Sequence, residues 1–110
     1  MAAKPRRLRL AVTSDALAAL SHIWTWNAEH WGTDHAERYS SFLRSEITKL
    51  ETTYPSGRPV PTRPGFQYTL IRRRRRGHGH VAVYEVVGDV IYVLEIFHTA
   101  QDWQKKIADR

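Results

Sequence analysis

Along residues 7–12, RLRLAV, apolar and polar positions alternate, putting Leu8, Leu10 and Val12 on one side and Arg7, Arg9 and Ala11 on the other. That period of two predicts a short β-strand with one dry face. The period then lengthens. Leu17, Leu20, Ile23, Trp24, Asn27, Ala28 and Trp31 recur at helical spacing behind Thr13 and Ser14, both good N-cap residues. Gly32 supplies a stop, because it tolerates positive φ. A second helix follows, with Asp34 and Glu37 in capping-box spacing and a stripe of Ala36, Tyr39, Leu43, Ile47 and Leu50, with Phe42 beside it. Two amphipathic helices joined by about three residues must fold back as an αα-hairpin, whose merged apolar surface needs a sheet to cover it.

Residues 55–65, PSGRPVPTRPG, hold four of the five prolines and two of the six glycines, so no regular element is expected there. From Phe66 the period returns to two. HVAVYEVV and VIYVLEIF flank Gly88-Asp89, a two-residue turn signal whose pattern predicts type II′ geometry. Pairing across that turn sets Val87 opposite Val90, Glu85 opposite Tyr92, Val83 opposite Leu94 and Val81 opposite Ile96. That face is mostly aliphatic and is expected to lie on the helices. The other face, with His80, Ala82, Tyr84 and Val86 against Ile91, Val93, Glu95 and Phe97, mixes polar and aromatic groups and is the expected working surface. At the end of the chain, Thr99 with Asp102 predicts a capped short helix in which Trp103 and Ile107 share a face. The expected fold is therefore α+β. It has an antiparallel-dominated four-stranded sheet, an N-terminal αα-hairpin packed on one face and a short C-terminal helix.

A length of 110 residues suits a single domain, with residues 1–6 expected to be flexible. Absence of cysteine removes disulfide and thiolate chemistry and fits a reducing compartment. No secretory signal and no run of about 18 apolar residues is present, which points to a cytoplasmic protein without a membrane span.

Charge changes the picture most. There are 17 Lys+Arg against 11 Asp+Glu, a net +6, and thirteen of the 17 are arginine. Five of them, Arg72, Arg73, Arg74, Arg75 and Arg76, are consecutive. If the strand from Phe66 runs on through them, Arg72, Arg74 and Arg76 share one side, and Arg73 and Arg75 the other. Such an edge can contact phosphates or an acidic protein segment, or can simply blunt a sheet edge with charge. His78 and His80 form an H-x-H pair with His98 one strand away. A metal ion is not expected there, since no cysteine or carboxylate completes a site and the arginines oppose a divalent cation. Histidine does suit RNA cleavage, taking a proton from a 2′-OH and giving one to the leaving oxygen while arginines stabilise the phosphorane. His80, Tyr84 and Glu95 share a face for such work. Strict alternation puts His98 on the other, so His80 and His98 meet only if a bulge or the strand end turns one of them. Trp24 and Trp31 fit the buried helical stripe, and Trp26 lies off it.

The order of these pieces resembles the RelE/ParE superfamily of bacterial toxins. LAALSHIWTWNAEHWGTDHAERYSSFLRSEITKL is similar to the helical hairpin of that superfamily, with Trp31-Gly32, Ala36 and Tyr39 matching a recurrent stretch. HVAVYEVVGDVIYVLEIFHTAQDW resembles its β-hairpin, a His-x-x-x-Tyr strand followed by a strand ending in a histidine motif. The resemblance spans about Leu8 to Ile107 and implies the toxin of a type II toxin–antitoxin pair. Such a toxin is neutralised in a hetero-oligomer by a cognate antitoxin, often through an acidic segment, and needs no cofactor. RelE-like members cut mRNA on the ribosome; ParE-like members poison DNA gyrase. IFHTAQDW is closer to the ParE side and VYEV to the RelE side, and the resemblance favours gyrase. Were the chain an mRNA endonuclease, the matching positions are Arg74 or Arg76, His80, Tyr84 and His98. A basic nucleic-acid or protein adaptor without toxicity is the further alternative.

Overall fold

The computed structural model describes residues 5–75 and 77–110. Residues 1–4, part of the segment expected to be flexible, and Arg76 lie outside the described residues. Strand β1 (Arg9–Val12) leads into α1 (Ser14–Trp31), α2 (Thr33–Thr48) and a one-turn α3 (Leu50–Thr53). A 3-10 turn, Tyr54–Ser56, then leads to the two-residue β2 (Arg58–Pro59), followed by β3 (Gln67–Ile71), β4 (His80–Val87), β5 (Val90–His98) and α4 (Trp103–Ala108).

The α+β expectation holds in outline, but the sheet has five strands in the order β1-β5-β4-β3-β2. Strand β1 runs parallel to β5, and the other pairs are antiparallel. The extra strand comes from the proline-rich connector, where Arg58 and Pro59 pair with Tyr68 and Gln67. Proline is tolerated in so short a strand at the sheet edge, where its missing N–H faces away from the ladder.

The largest correction concerns the faces of the sheet. Pairing follows expectation from Val87↔Val90 to Tyr84↔Val93, then slips by one residue: Val83 faces Glu95, Val81 faces Phe97 and His80 faces His98. Leu94 is the unpaired extra residue, and a one-residue slip exchanges the faces of everything beyond it. Ile96 thereby joins Ala82, Tyr84, Ile91 and Val93 under Ala16, Leu43, Ile47 and Leu50 of the helices. Phe97 moves to the opposite face, where Val81 and Val83 meet Trp103 and Ile107 of α4. The helical hairpin thus covers the face expected to be the working surface. The bulge makes that face apolar, and the small side chains of Ala82 and Ala16 let helix and sheet approach closely. The narrower aliphatic face needs only the short helix, with the Tyr68 and Trp103 rings 4.7 Å apart.

Local corrections have local causes. The two long helices are separated by Gly32 alone, at φ 90°. With so tight a turn, Gly32 occupies the N-cap position of α2 and no side chain caps it. Glu37 instead accepts a hydrogen bond from the Trp24 indole at 3.1 Å. Trp31, placed by periodicity in the core, is 66% exposed because the turn carries the end of α1 past the sheet. Leu17, from the same stripe, is also exposed. Trp24 is half-buried, and Trp26 is exposed as expected. Thr99 does not cap α4; its hydroxyl accepts from the Gly79 N–H at 3.0 Å, and Asp102 takes the cap position without a side-chain bond.

Thr13 behaves as the sequence indicates and does more. Its hydroxyl accepts from the Ala16 N–H at 3.2 Å, capping α1, and donates to the Leu94 carbonyl at 2.9 Å. One side chain therefore ties the start of the helix to the bulge.

Candidate functional site

Strand β3 ends at Ile71, and Arg72, Arg73, Arg74 and Arg75 do not continue it. Arg72, Arg73, Arg74 and Arg75 are exposed in an irregular connection between β3 and β4. Adjacent guanidinium groups repel one another, and a solvated loop spreads them further apart than a ladder does. The base of this connection is tightly held. Thr99 N–H donates to the Gly79 carbonyl at 3.0 Å, and a Cβ on Gly79 would sit 2.3 Å from the Ile71 carbonyl oxygen. Only glycine fits at that crossing.

Beside the loop lies an open cleft of about 1340 Å³ between the helical hairpin and the end of the sheet. Arg73, Arg74, His78, His80 and His98 line it from the sheet side, and Trp26, Trp31, His35, Arg38 and Tyr39 from the helices. An aromatic chain crosses it. Centroid separations run Trp31–His35 6.1 Å, His35–Tyr39 6.5 Å, Tyr39–His80 5.5 Å, His80–His98 5.3 Å and His98–His78 5.4 Å. The bulge at Leu94 is what places His80 and His98 together, edge to face, in the arrangement that strict alternation denied them.

The electrostatics of the cluster limit its chemistry. His80 is buried, and its Nδ1 lies 2.6 Å from the Tyr39 hydroxyl. Burial, with His98 as a second cause, pushes its pKa down from 6.5 to about 4, so the ring is neutral near pH 7. Burial also lowers the pKa of His98, with His78 adding to the effect, and its Nδ1 accepts the Ala100 N–H at 3.0 Å. Tyr39 is shifted up by burial, against the opposing pull of Arg73, and stays protonated. Among the described residues, no three His, Asp or Glu side chains are arranged to hold a metal ion.

Tyr84 is not at this surface. It is fully buried under the helices, its hydroxyl donates to the Tyr54 carbonyl at 2.7 Å, and burial raises its pKa. Glu95 has moved with the slip to the face of α4, where it pairs with Arg110 at 3.2 Å. The expected trio of His80, Tyr84 and Glu95 is therefore dispersed. His80, His98 and Arg74 do share the cleft, while Arg76 lies outside the described residues. Sequence reasoning missed Tyr39, His35 and Arg38 as site residues. The signal was present: Trp31, His35 and Tyr39 recur every four residues, an aromatic line along one side of the hairpin.

A helical hairpin and a short C-terminal helix on opposite faces of a five-stranded mixed sheet, with a basic cleft at one end, define a class of small α+β proteins. Comparison gives the class its family. Residues 10–103 match the family described as the ParE toxin of type II toxin–antitoxin system, parDE. This chain belongs to that family and is a toxin component of a type II toxin–antitoxin system. Two relatives, both called Toxin ParE1, from the CDC 1551 / Oshkosh and H37Rv strains of Mycobacterium tuberculosis, are 28% identical over 101 residues. Those alignments cover 90% of this chain and 97% of each relative. A solved structure, described as a chromosomal ParDE TA system from P. aeruginosa, superposes with a TM-score of 0.72 at 22% identity. It covers 84% of this chain and 96% of that one, and it has the same fold.

Proposed function

We propose that this toxin inhibits growth by poisoning DNA gyrase, and that it acts without nuclease chemistry. The observation that carries this reading is the state of the acid–base set. Tyr84, the tyrosine that a ribosome-dependent nuclease would use, is fully buried and bonded to a backbone carbonyl. His80 is buried and neutral, with one ring nitrogen engaged by Tyr39. General acid–base catalysis needs groups within reach of the substrate and a pKa near the working pH, and neither residue meets both conditions.

The whole 1–110 chain acts as one toxin domain in the cytoplasm, held inactive in a hetero-oligomer with a cognate antitoxin. The exposed arginines Arg72, Arg73, Arg74 and Arg75 supply the charge that draws an acidic antitoxin segment. Inducing the chain without its antitoxin is expected to leave cleaved, gyrase-linked DNA and intact transcripts. A second reading, mRNA cleavage on the ribosome, is favoured by one observation: His98 shares the open cleft with Arg73 and Arg74. It requires codon-phased cuts in mRNA that disappear in His98→Ala, and finding them in place of gyrase-linked DNA would reject the gyrase reading.

A further inference from the structure

The cleft carries more than charge. Trp26 and Trp31 stay 53% and 66% exposed; the His30 ring stacks on one face of Trp26 at 4.0 Å, which leaves the other face of that indole for a ligand. Both line the cleft together with Arg38, Arg73 and Arg74. Among the described residues that line the cleft the single carboxylate, Glu95, is already paired with Arg110. Indole faces and guanidinium groups sharing one open groove suit a ligand with flat rings and a repeating negative charge.

From this we infer that the cleft binds an unpaired DNA strand, with bases stacked on Trp26 and Trp31 and phosphates held by Arg38, Arg73 and Arg74. A duplex does not fit the same description, since its bases present no free faces to the indoles. Gln101 Oε1 accepts the His98 backbone N–H at 2.9 Å and Glu95 Oε2 pairs with Arg110, so part of the acceptor capacity a 2′-hydroxyl would need is already taken. The choice of DNA over RNA also rests on the gyrase reading, in which a toxin meets DNA opened at a break. The binding itself can be measured without gyrase, so failure here and failure of that reading are separate results.

The experiment titrates the full chain with an oligothymidylate of about twelve nucleotides, following indole fluorescence. Matched arms use oligouridylate, a duplex of the same length and polyglutamate. The expected result is quenching on binding, with log K falling against log salt at a slope of about −2 to −3, as for three or four phosphates on a single strand. Trp26→Ala and Trp31→Ala should each weaken binding by about 5- to 100-fold, while Arg44→Gln, on the exposed side of α2, leaves it unchanged. Both tryptophans are solvent-exposed, so the variants are expected to keep the wild-type circular dichroism. Unchanged affinity in both tryptophan variants would overturn the inference, as would equal binding of the duplex. So would polyglutamate matching the DNA in quench and affinity, or an RNA strand bound more than about tenfold more tightly.

Discussion

Tyr84 and His80 sit four residues apart on β4 and show how burial decides what a side chain does. Tyr84 spans the core to reach the Tyr54 carbonyl, and the fit is close: a Cβ on Gly57 would meet its hydroxyl at 1.7 Å. Tyr84→Phe removes the donor and leaves that carbonyl short of a partner, so a loss of about 1–2 kcal/mol is expected in urea unfolding. Growth inhibition should persist in the same variant, since a core hydroxyl takes no part in target binding. His80 gives a pH dependence whose sign follows from its shift. Its folded pKa of about 4 lies below the ordinary 6.5, so the unfolded chain binds more protons between those values. Stability is therefore full above about pH 6.5 and falls as the pH drops towards 4, by ~2–3 kcal/mol for this residue. Urea midpoints measured across that window should show the slope, and His80→Gln should flatten it.

At the level of elements, one extra residue reorganises half the sheet. The alternation of β4 and β5 and the turn at Gly88-Asp89 were legible from apolar spacing and a glycine, here at φ 62°. The bulge was not, because Val93 and Leu94 are both apolar and nothing local marks which of them leaves the register. Its stabilisation comes from Thr13, distant in sequence, whose hydroxyl bonds the Leu94 carbonyl. Thr13→Ala loses both this bond and the cap on α1, and a cost of about 1–3 kcal/mol is expected from denaturation. Thr13→Ser, which keeps the hydroxyl, should recover most of it. Because the same slip sets His80 against His98, weakening it should also disturb the His98 ring, visible as a shifted imidazole resonance in the Thr13→Ala spectrum. The helices were legible from their stripes and from Gly32, whereas the exposure of Trp31 depends on a turn of a single residue, shorter than the pattern indicated. Strand β2 escaped notice because two residues, one of them a proline, carry no period at all.

For the whole molecule, the net charge of +6 and the arginine run raised the expectation of an anionic partner, and the order of elements carried the family resemblance. The cleft itself was only partly visible. Its histidines and arginines stood out as residue types, but their meeting with Tyr39, Trp26 and Trp31 requires the helical hairpin to lie over the face of β4 that holds His80. That packing withdraws Tyr84 and His80 from solvent, so the acid and base a nuclease would use are not exposed together at the cleft. Purified DNA gyrase with supercoiled plasmid, and in a parallel arm ribosomes with bound mRNA, each given the wild-type chain or His98→Ala, put this to the test. The expected result is accumulation of linear, gyrase-linked DNA with both proteins, because no step depends on a histidine proton. Intact plasmid with either protein, together with ribosome-bound mRNA cut by the wild type and spared by His98→Ala, would contradict it.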